Sequence, residues 1–491
     1  MEIENTEILI EEDNIEKDDI TYNSLDEILI DNKSIKFNIP KKYPINTHYK
    51  NSFFDIMKNT NIGNENDEVK LTIEEIIILF LPYIKLNVCI DKYSISTDSI
   101  IEILVKNIIK IDDDFIDYFD EKKITEKLWY KKFIKEKERI KIKNVENYDF
   151  SPFITKLEKQ TLDKEELEWV DKSDNNFLLW CCKNKKEDVA LKLIDTFKEK
   201  CNPQQVNMYK DTALIWSCHN KMENIVLKLI EIFGENCLPQ QVSENDNITA
   251  LILACSNKME NVALKLIDTF NDNCLPQQVS KKNNTALILA CKNEMENVAL
   301  KLIDTFGENS NPQQINSCKA TALLYACSNK MENVALKLID TFNDNCLPQQ
   351  VSEYDNISAL IFACNNKMEN TALKLIETFG ENCNPQQIDK DGDTALILAC
   401  DNKMENVALK LIETFGKQCN PQQVNNNKDT ALILACSKKM EYTALKLIDT
   451  FDELLLYEHK NKDNKTAFIL AYNNKMKNVI IKLICKINWL K

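Results

Sequence analysis

At 491 residues, with 44% hydrophobic and 28% charged side chains, the sequence has the composition of a soluble, foldable chain. A net charge of −15 speaks against nucleic acid as the main partner, because duplex binding rests on neutralising phosphates. No run approaches the roughly 20 apolar residues a membrane span needs; the most apolar one, Ile76 to Leu81, is bracketed by Glu74, Glu75 and Lys85 and broken by Pro82.

Residues 1–24 form an acidic, glycine-free tail. The opening MEIENTEILIEED is acidic where a secretory leader would be basic, so an intracellular location, cytoplasmic or nuclear, with reduced thiols is expected. Residues 25–121 read as a small α+β domain. DEILIDNKSIKFNIP predicts a pair of strands, NSFFDIMKN a short helix and DEVKLTI a strand. EEIIILFLPYIKLNV and STDSIIEILVKNIIKIDDDFIDYFDE predict amphipathic helices. Residues 122–175 read as a charged helical linker and N-terminal cap. Within it, Lys122 to Lys143 carries ten basic residues against Glu126, Glu136 and Glu138, a solvated helix rather than a nucleic-acid or membrane patch. Arg139 is the only arginine, while Ile, Asn and Lys abound, a bias that fits an AT-rich genome such as that of a giant virus or an amoeba.

From residue 176 to 491 the chain repeats itself. The threonine of DGDTALILACDNKMENVALKLIETFG, Thr394, recurs as Asn176, Thr212, Thr249, Thr285, Thr321, Ser358, Thr430 and Thr466, at spacings of 36 or 37 residues. Nine copies at a fixed period predict a solenoid in which each unit buries its apolar face against its neighbours. The threonine is placed to cap a short first helix whose apolar face is Ala395, Leu396, Leu398 and Ala399. A second helix, Asn406 to Phe415, sets Val407, Leu411 and Thr414 on one side with Ala408, Ile412 and Phe415 beside them. In the following C-N-P-Q-Q-V, Asn420 is expected to cap, and Pro421 to open, a short helical turn. The two 37-residue spacings carry their extra residue between the proline (Pro239, Pro348) and the next Thr249 or Ser358, in the connecting finger.

Catalytic and metal patterns are weak. Of 18 cysteines, eight fall six residues after the threonine and six fall 25 after it, one per column per repeat. No C-x-x-C pair exists, and His48, His219 and His459 are scattered, so a structural core role outweighs a metal site. Six isolated glycines exclude a phosphate-cradling loop, and three lone histidines leave few bases for a nucleophile triad. No catalytic, cofactor or metal residue is predicted, and the chain reads as a non-enzyme.

The copies resemble the ankyrin repeat. Thr394-Ala395-Leu396-Ile397-Leu398-Ala399-Cys400 stands where that family has T-P-L-H-x-A-A, and Val407-Ala408-Leu409-Lys410-Leu411-Ile412 matches its I-V-x-x-L-L. The fold implied is mainly α, an ankyrin-type helical-hairpin solenoid of about nine repeats after the small α+β domain. Units are longer than the family's usual 33 residues. Lys403 replaces the glycine between the helices, which suggests that the left-handed residue shifts to Asn402. The resemblance implies a concave groove that holds a partner protein. Finger positions in it would be Tyr209, Lys210, Glu244, Asp246, Lys281, Lys282, Lys319, Tyr354, Asp355, Asp391 and Lys428. First-helix positions would be His219, Ser256, Lys292, Ser328, Asn365, Asp401 and Ser437. These vary between copies, as a binding surface or unconstrained drift would both produce. The asparagine eight residues after the threonine is expected to serve the turn.

The front domain resembles a degenerate BTB/POZ domain through Phe53-Phe54-Asp55-Ile56-Met57, Glu68 to Leu71 and Leu79 to Ile84. That resemblance implies an alternative role, a substrate adaptor for a cullin-type ubiquitin ligase. The first reading is a non-catalytic scaffold for a protein partner, host-derived if the source is viral.

Overall fold

The computed structural model describes residues 6–7, 26–30, 33–37, 135, 138–353, 356–451 and 458–490, the segments 6–7, 26–30, 33–37 and 487–490 without their side chains. The chain divides into two compact units, Met1–Glu146 and Asn147–Lys491.

In the first unit, β2 (Asp26–Ile30) and β3 (Lys33–Phe37) pair antiparallel, with Ile28 opposite Ile35. β1 (Thr6–Glu7), in the acidic tail, pairs parallel with β3, Thr6 opposite Ile35. The remaining segments of the front-domain reading, including Phe53 to Met57, Glu68 to Leu71 and Leu79 to Ile84, lie outside the described residues.

The second unit opens with α1 (Ser151–Glu158) and a 3-10 turn, Glu165–Glu168. Phe150 meets Phe177 and Trp180, and Phe153 meets Phe177, of the first repeat, with ring centroids 5.4 to 6.2 Å apart, and Trp169 packs edge-on against Phe153 at 6.0 Å. These rings cover the apolar end of the stack. Nine helical hairpins follow among the described residues. In the seventh, Ala395–Asp401 is followed by Glu405–Phe415 and a 3-10 turn at Gly416–Cys419.

Each first helix begins where its hydroxyl or amide caps it. Thr394 Oγ1 accepts the Ile397 N–H at 3.2 Å, Ser358 accepts from Ile361 and Asn176 from Leu179. All nine first helices are capped in this way. The caps are nearly or wholly buried in eight copies, so their loss would strand an N–H away from water.

The core is a set of columns running through the stack. Leu396, Ile397, Ala399 and Cys400 from the first helix and Val407, Ala408, Leu411, Ile412 and Phe415 from the second are buried. Met404, just before the second helix, adds a column the apolar pattern did not reveal. Thr414 is exposed instead of sharing the buried side. In the ninth repeat the equivalent columns face outward at Ile469, Tyr472 and Ile484, with Tyr472 68% exposed.

Two turn expectations are corrected. Asn420 does not open a helical turn. It closes one, as the left-handed residue (φ 54°) after Gly416–Cys419, and Leu238, Leu275 and Leu347 do the same in their copies. Pro421 then sits inside a tight turn in which the Gln423 N–H donates to the Asn420 carbonyl. Between the helices, Lys403 itself is left-handed (φ 60°), and Asn402 keeps φ −86°. Asn402 cannot take over because its side chain is committed across the repeat boundary, as described next.

Candidate functional site: the concave face and its fingers

The asparagine after each first helix binds the preceding repeat. Asn402 Nδ2 donates to the Cys364 and Asn365 carbonyls at 2.9 and 3.3 Å, at a helix C-terminus where the Cys364 carbonyl also accepts the Lys367 N–H. Asn220, Asn257, Asn293, Asn329, Asn366 and Asn474 repeat the bond to the preceding cysteine carbonyl. This asparagine therefore joins neighbouring units rather than serving its own turn. In the eighth repeat the position is Lys438, which instead forms an ion pair with Asp401 at 3.0 Å.

The fingers are built by turn side chains. Asn425 Oδ1 accepts the Asn427 and Asp429 N–H groups, and Asp389 does the same for Asp391 and Asp393. In the 37-residue units the loop closes one residue later, Ser243 N–H to the Ile248 carbonyl and Ser352 to Ile357, which places the extra residue in the finger. Successive fingers are tied by the second glutamine of P-Q-Q. Gln423 Nε2 donates to the Gly392 carbonyl, Gln387 to Asn356 and Gln350 to Lys319. His459 Nε2 takes the same role toward the Lys428 carbonyl at 2.8 Å.

Fingers and first helices face one another across a common surface. Tyr325, on a first helix, has its phenol oxygen 3.3 Å from the Nδ2 donor of Asn316 at a finger base. Asp393 is raised to about 6, chiefly by burial, and the negative charges of Asp389, Asp391 and Asp401 add to the effect. One finger and one first helix thus share an electrostatic field. Asp211 is raised by burial, against the opposing pull of Lys183 and His219. Trp216 lies edge-on to His219 at 5.2 Å, with the Lys183 ammonium 5.7 Å from its ring centre.

The positions read from sequence lie on these elements. Lys210, His219, Glu244, Asp246, Ser256, Lys281, Lys282, Lys292, Lys319, Asn365, Asp391, Asp401, Lys428 and Ser437 are exposed, and Tyr209 and Ser328 half-buried. Tyr354 and Asp355 lie outside the described residues. Lys210 and Glu244 pair at 2.7 Å between adjoining fingers. The residues missed are Lys183, Trp216, Tyr325 and Phe362. The last three hold the position four after the cap, where most copies have leucine, and that change from leucine to an aromatic was the available signal.

The thiols are structural. Burial pushes Cys182, Cys291 and Cys436 up to about 12, and Cys218, Cys255 and Cys400 upward as well. A thiol so far from ionisation is a poor nucleophile and a poor metal ligand. No group of three metal-ligating side chains occurs among the described residues, and no helix among them is long and apolar enough to cross a membrane.

A family model described as ankyrin repeats (3 copies) matches residues 178–275 and 360–454. Among solved structures, the ankyrin repeat domain of Bcl-3, described as a unique member of the IkappaB protein family, is 20% identical. That match covers 48% of this chain and 98% of the other, with a TM-score of 0.34. No curated protein matches this chain.

Proposed function

We propose that this chain of ankyrin repeats is a non-catalytic scaffold that holds a partner protein on its concave face. The observation that carries the reading is an asymmetry between the two faces. On the second helices, lysines pair with carboxylates of the preceding repeat, as in Lys301–Asp268, Lys337–Asp304, Lys374–Asp340 and Lys410–Glu377. That pairing recurs from unit to unit, whereas the finger side has only Lys210–Glu244 and Lys438–Asp401 between units among the described residues. On the concave side the side chains change from copy to copy, while the hydrogen bonds beneath them recur. A rigid frame with variable, exposed side chains is what recognition of a protein surface requires.

The column thiols, buried and held protonated, support a binding role over catalysis, since a nucleophile must be both reachable and activated. The cullin-type adaptor role rests on front-domain residues outside those described, and nothing in the repeats favours it. The test is affinity capture from the native cell with the full chain. Replacing Tyr209, Lys292 and Tyr325 together by alanine should abolish capture, while reversing Lys301 and Lys337 on the opposite face should not. Equal capture by both variants would remove the concave face as the binding surface.

A further inference from the structure

We infer that the groove over repeats three to five takes an extended, acidic segment of the partner protein. This deepens the scaffold reading and rests on it. In a chain of net charge −15, this stretch of groove gathers Lys281 and Lys282 on one finger, Lys319 on the next and Lys292 on the first helix between them. Among the described residues, none of these four ammonium groups takes part in an ion pair, unlike the lysines of the opposite face. The adjoining fingers carry Glu244, already paired with Lys210, and Asp246 on one side and Glu353 on the other.

Four like charges held on adjacent rigid elements repel one another, and each raises the affinity of the site for an anion. Lys292 is held in place as well as charged. Its Nζ stands 5.9 Å from the Tyr325 ring centre, and Tyr325 is fixed in turn by Asn316. An ammonium seated over an aromatic ring keeps its N–H donors for a carboxylate while its orientation is already set. Tyr325 also offers an apolar ring for the backbone of the bound segment.

The acidic segment must end before repeat seven. There Asp391 and Asp401 stand where repeat four has Lys282 and Lys292, with Asp389 and Asp393 beside them, although Lys390 stays at the position of Lys281. That negative wall, with the net charge, also turns away nucleic acid, which would bring phosphates along the whole groove. The groove thus sets both the charge of the segment and its limit.

The test is selection of random 12-residue peptides displayed on phage against the full chain, against K281E/K282E/K292E and against the opposite-face variant K301E/K337E. Circular dichroism confirms that all three fold alike. Peptides selected on the parent should be rich in Asp and Glu, lose at least about tenfold in affinity on the groove variant and keep it on the other. Their binding should weaken between low and physiological salt. Peptides without acidic bias that still compete for Tyr325 would overturn this inference and leave the scaffold reading standing. No selectable groove-binding peptide, or preferential binding of a single-stranded oligonucleotide, would overturn both.

Discussion

Asn402 reaches across a repeat boundary to the carbonyl of Cys364, 2.9 Å away, and six other asparagines make the same bond. The bond adds a donor from the next unit to a helix end, so this link forms only when the neighbour is stacked on it, at every such boundary but the one held by Lys438. Cooperativity in the array follows from that geometry.

Asn402→Ala should therefore destabilise the array by about 1 kcal/mol, since a side-chain link across the repeat boundary is lost while the Cys364 carbonyl keeps the Lys367 N–H. Lys438→Asn supplies the missing rung and should raise stability by about 1 kcal/mol. The urea midpoint of each variant measures both, and a loss for Lys438→Asn would show that its ion pair with Asp401 is the better connection.

Backbone strain gives a second expectation. Lys198 sits at φ 48°, ψ −128°, where Gly234, Gly307, Gly380 and Gly416 stand in other copies. Open space surrounds a Cβ built on each of those glycines, so the penalty at Lys198 is one of backbone conformation rather than collision. Lys198→Gly should stabilise the first repeat by about 1 kcal/mol, the strain relieved exceeding the added chain entropy. Lys403→Gly should act in the same direction, read by the shift in melting temperature.

Asp393 predicts a pH dependence. Its folded value near 6 lies above its ordinary 3.8, so the folded chain holds a proton that the unfolded chain has released between these values. Its contribution to stability is full below about pH 4 and falls as pH rises to about 6. Asp393→Asn should remove this slope and raise stability at neutral pH. Asn284 and Asn175 already occupy the equivalent place, each accepting from the next finger's asparagine as Asp393 accepts from Asn425. Stability measured from about pH 4 to neutral pH decides it, and an unchanged slope would place the titration elsewhere.

The thiol columns predict selective alkylation. Among the described residues, Cys318 is half-buried and Cys485 exposed, whereas the columns are buried and held protonated. Iodoacetamide at neutral pH should modify Cys318 and Cys485 first, and the columns only in denaturant, as mass spectrometry of digests would show. Early modification of Cys400 or Cys364 would mean that the stack opens locally.

The repeat architecture was legible because nine copies keep the same small apolar columns and a capping hydroxyl, both local signals. The bonds between units were not. Asn402 looks like a turn residue because its partners lie 38 and 37 residues away, beyond any local pattern. The same commitment hid the left-handed Lys403, since glycine or asparagine is the usual choice there. P-Q-Q read as a helix opening because proline favours that place, yet the second glutamine recurs to bridge fingers. The finger and first-helix positions were expected from the resemblance to the repeat family, and those among the described residues are exposed or half-buried. Tyr325 and Trp216 stand four residues after the cap, where most copies have leucine, and were not among those positions.

The concave face is tested most directly by site-specific photocrosslinking in the native cell, with a benzophenone amino acid placed at Tyr325 or at Lys337 on the opposite face. Position 325 should yield one protein adduct, suppressed by K281E/K282E/K292E, and position 337 none. An adduct formed only from position 337 would contradict binding on the concave face.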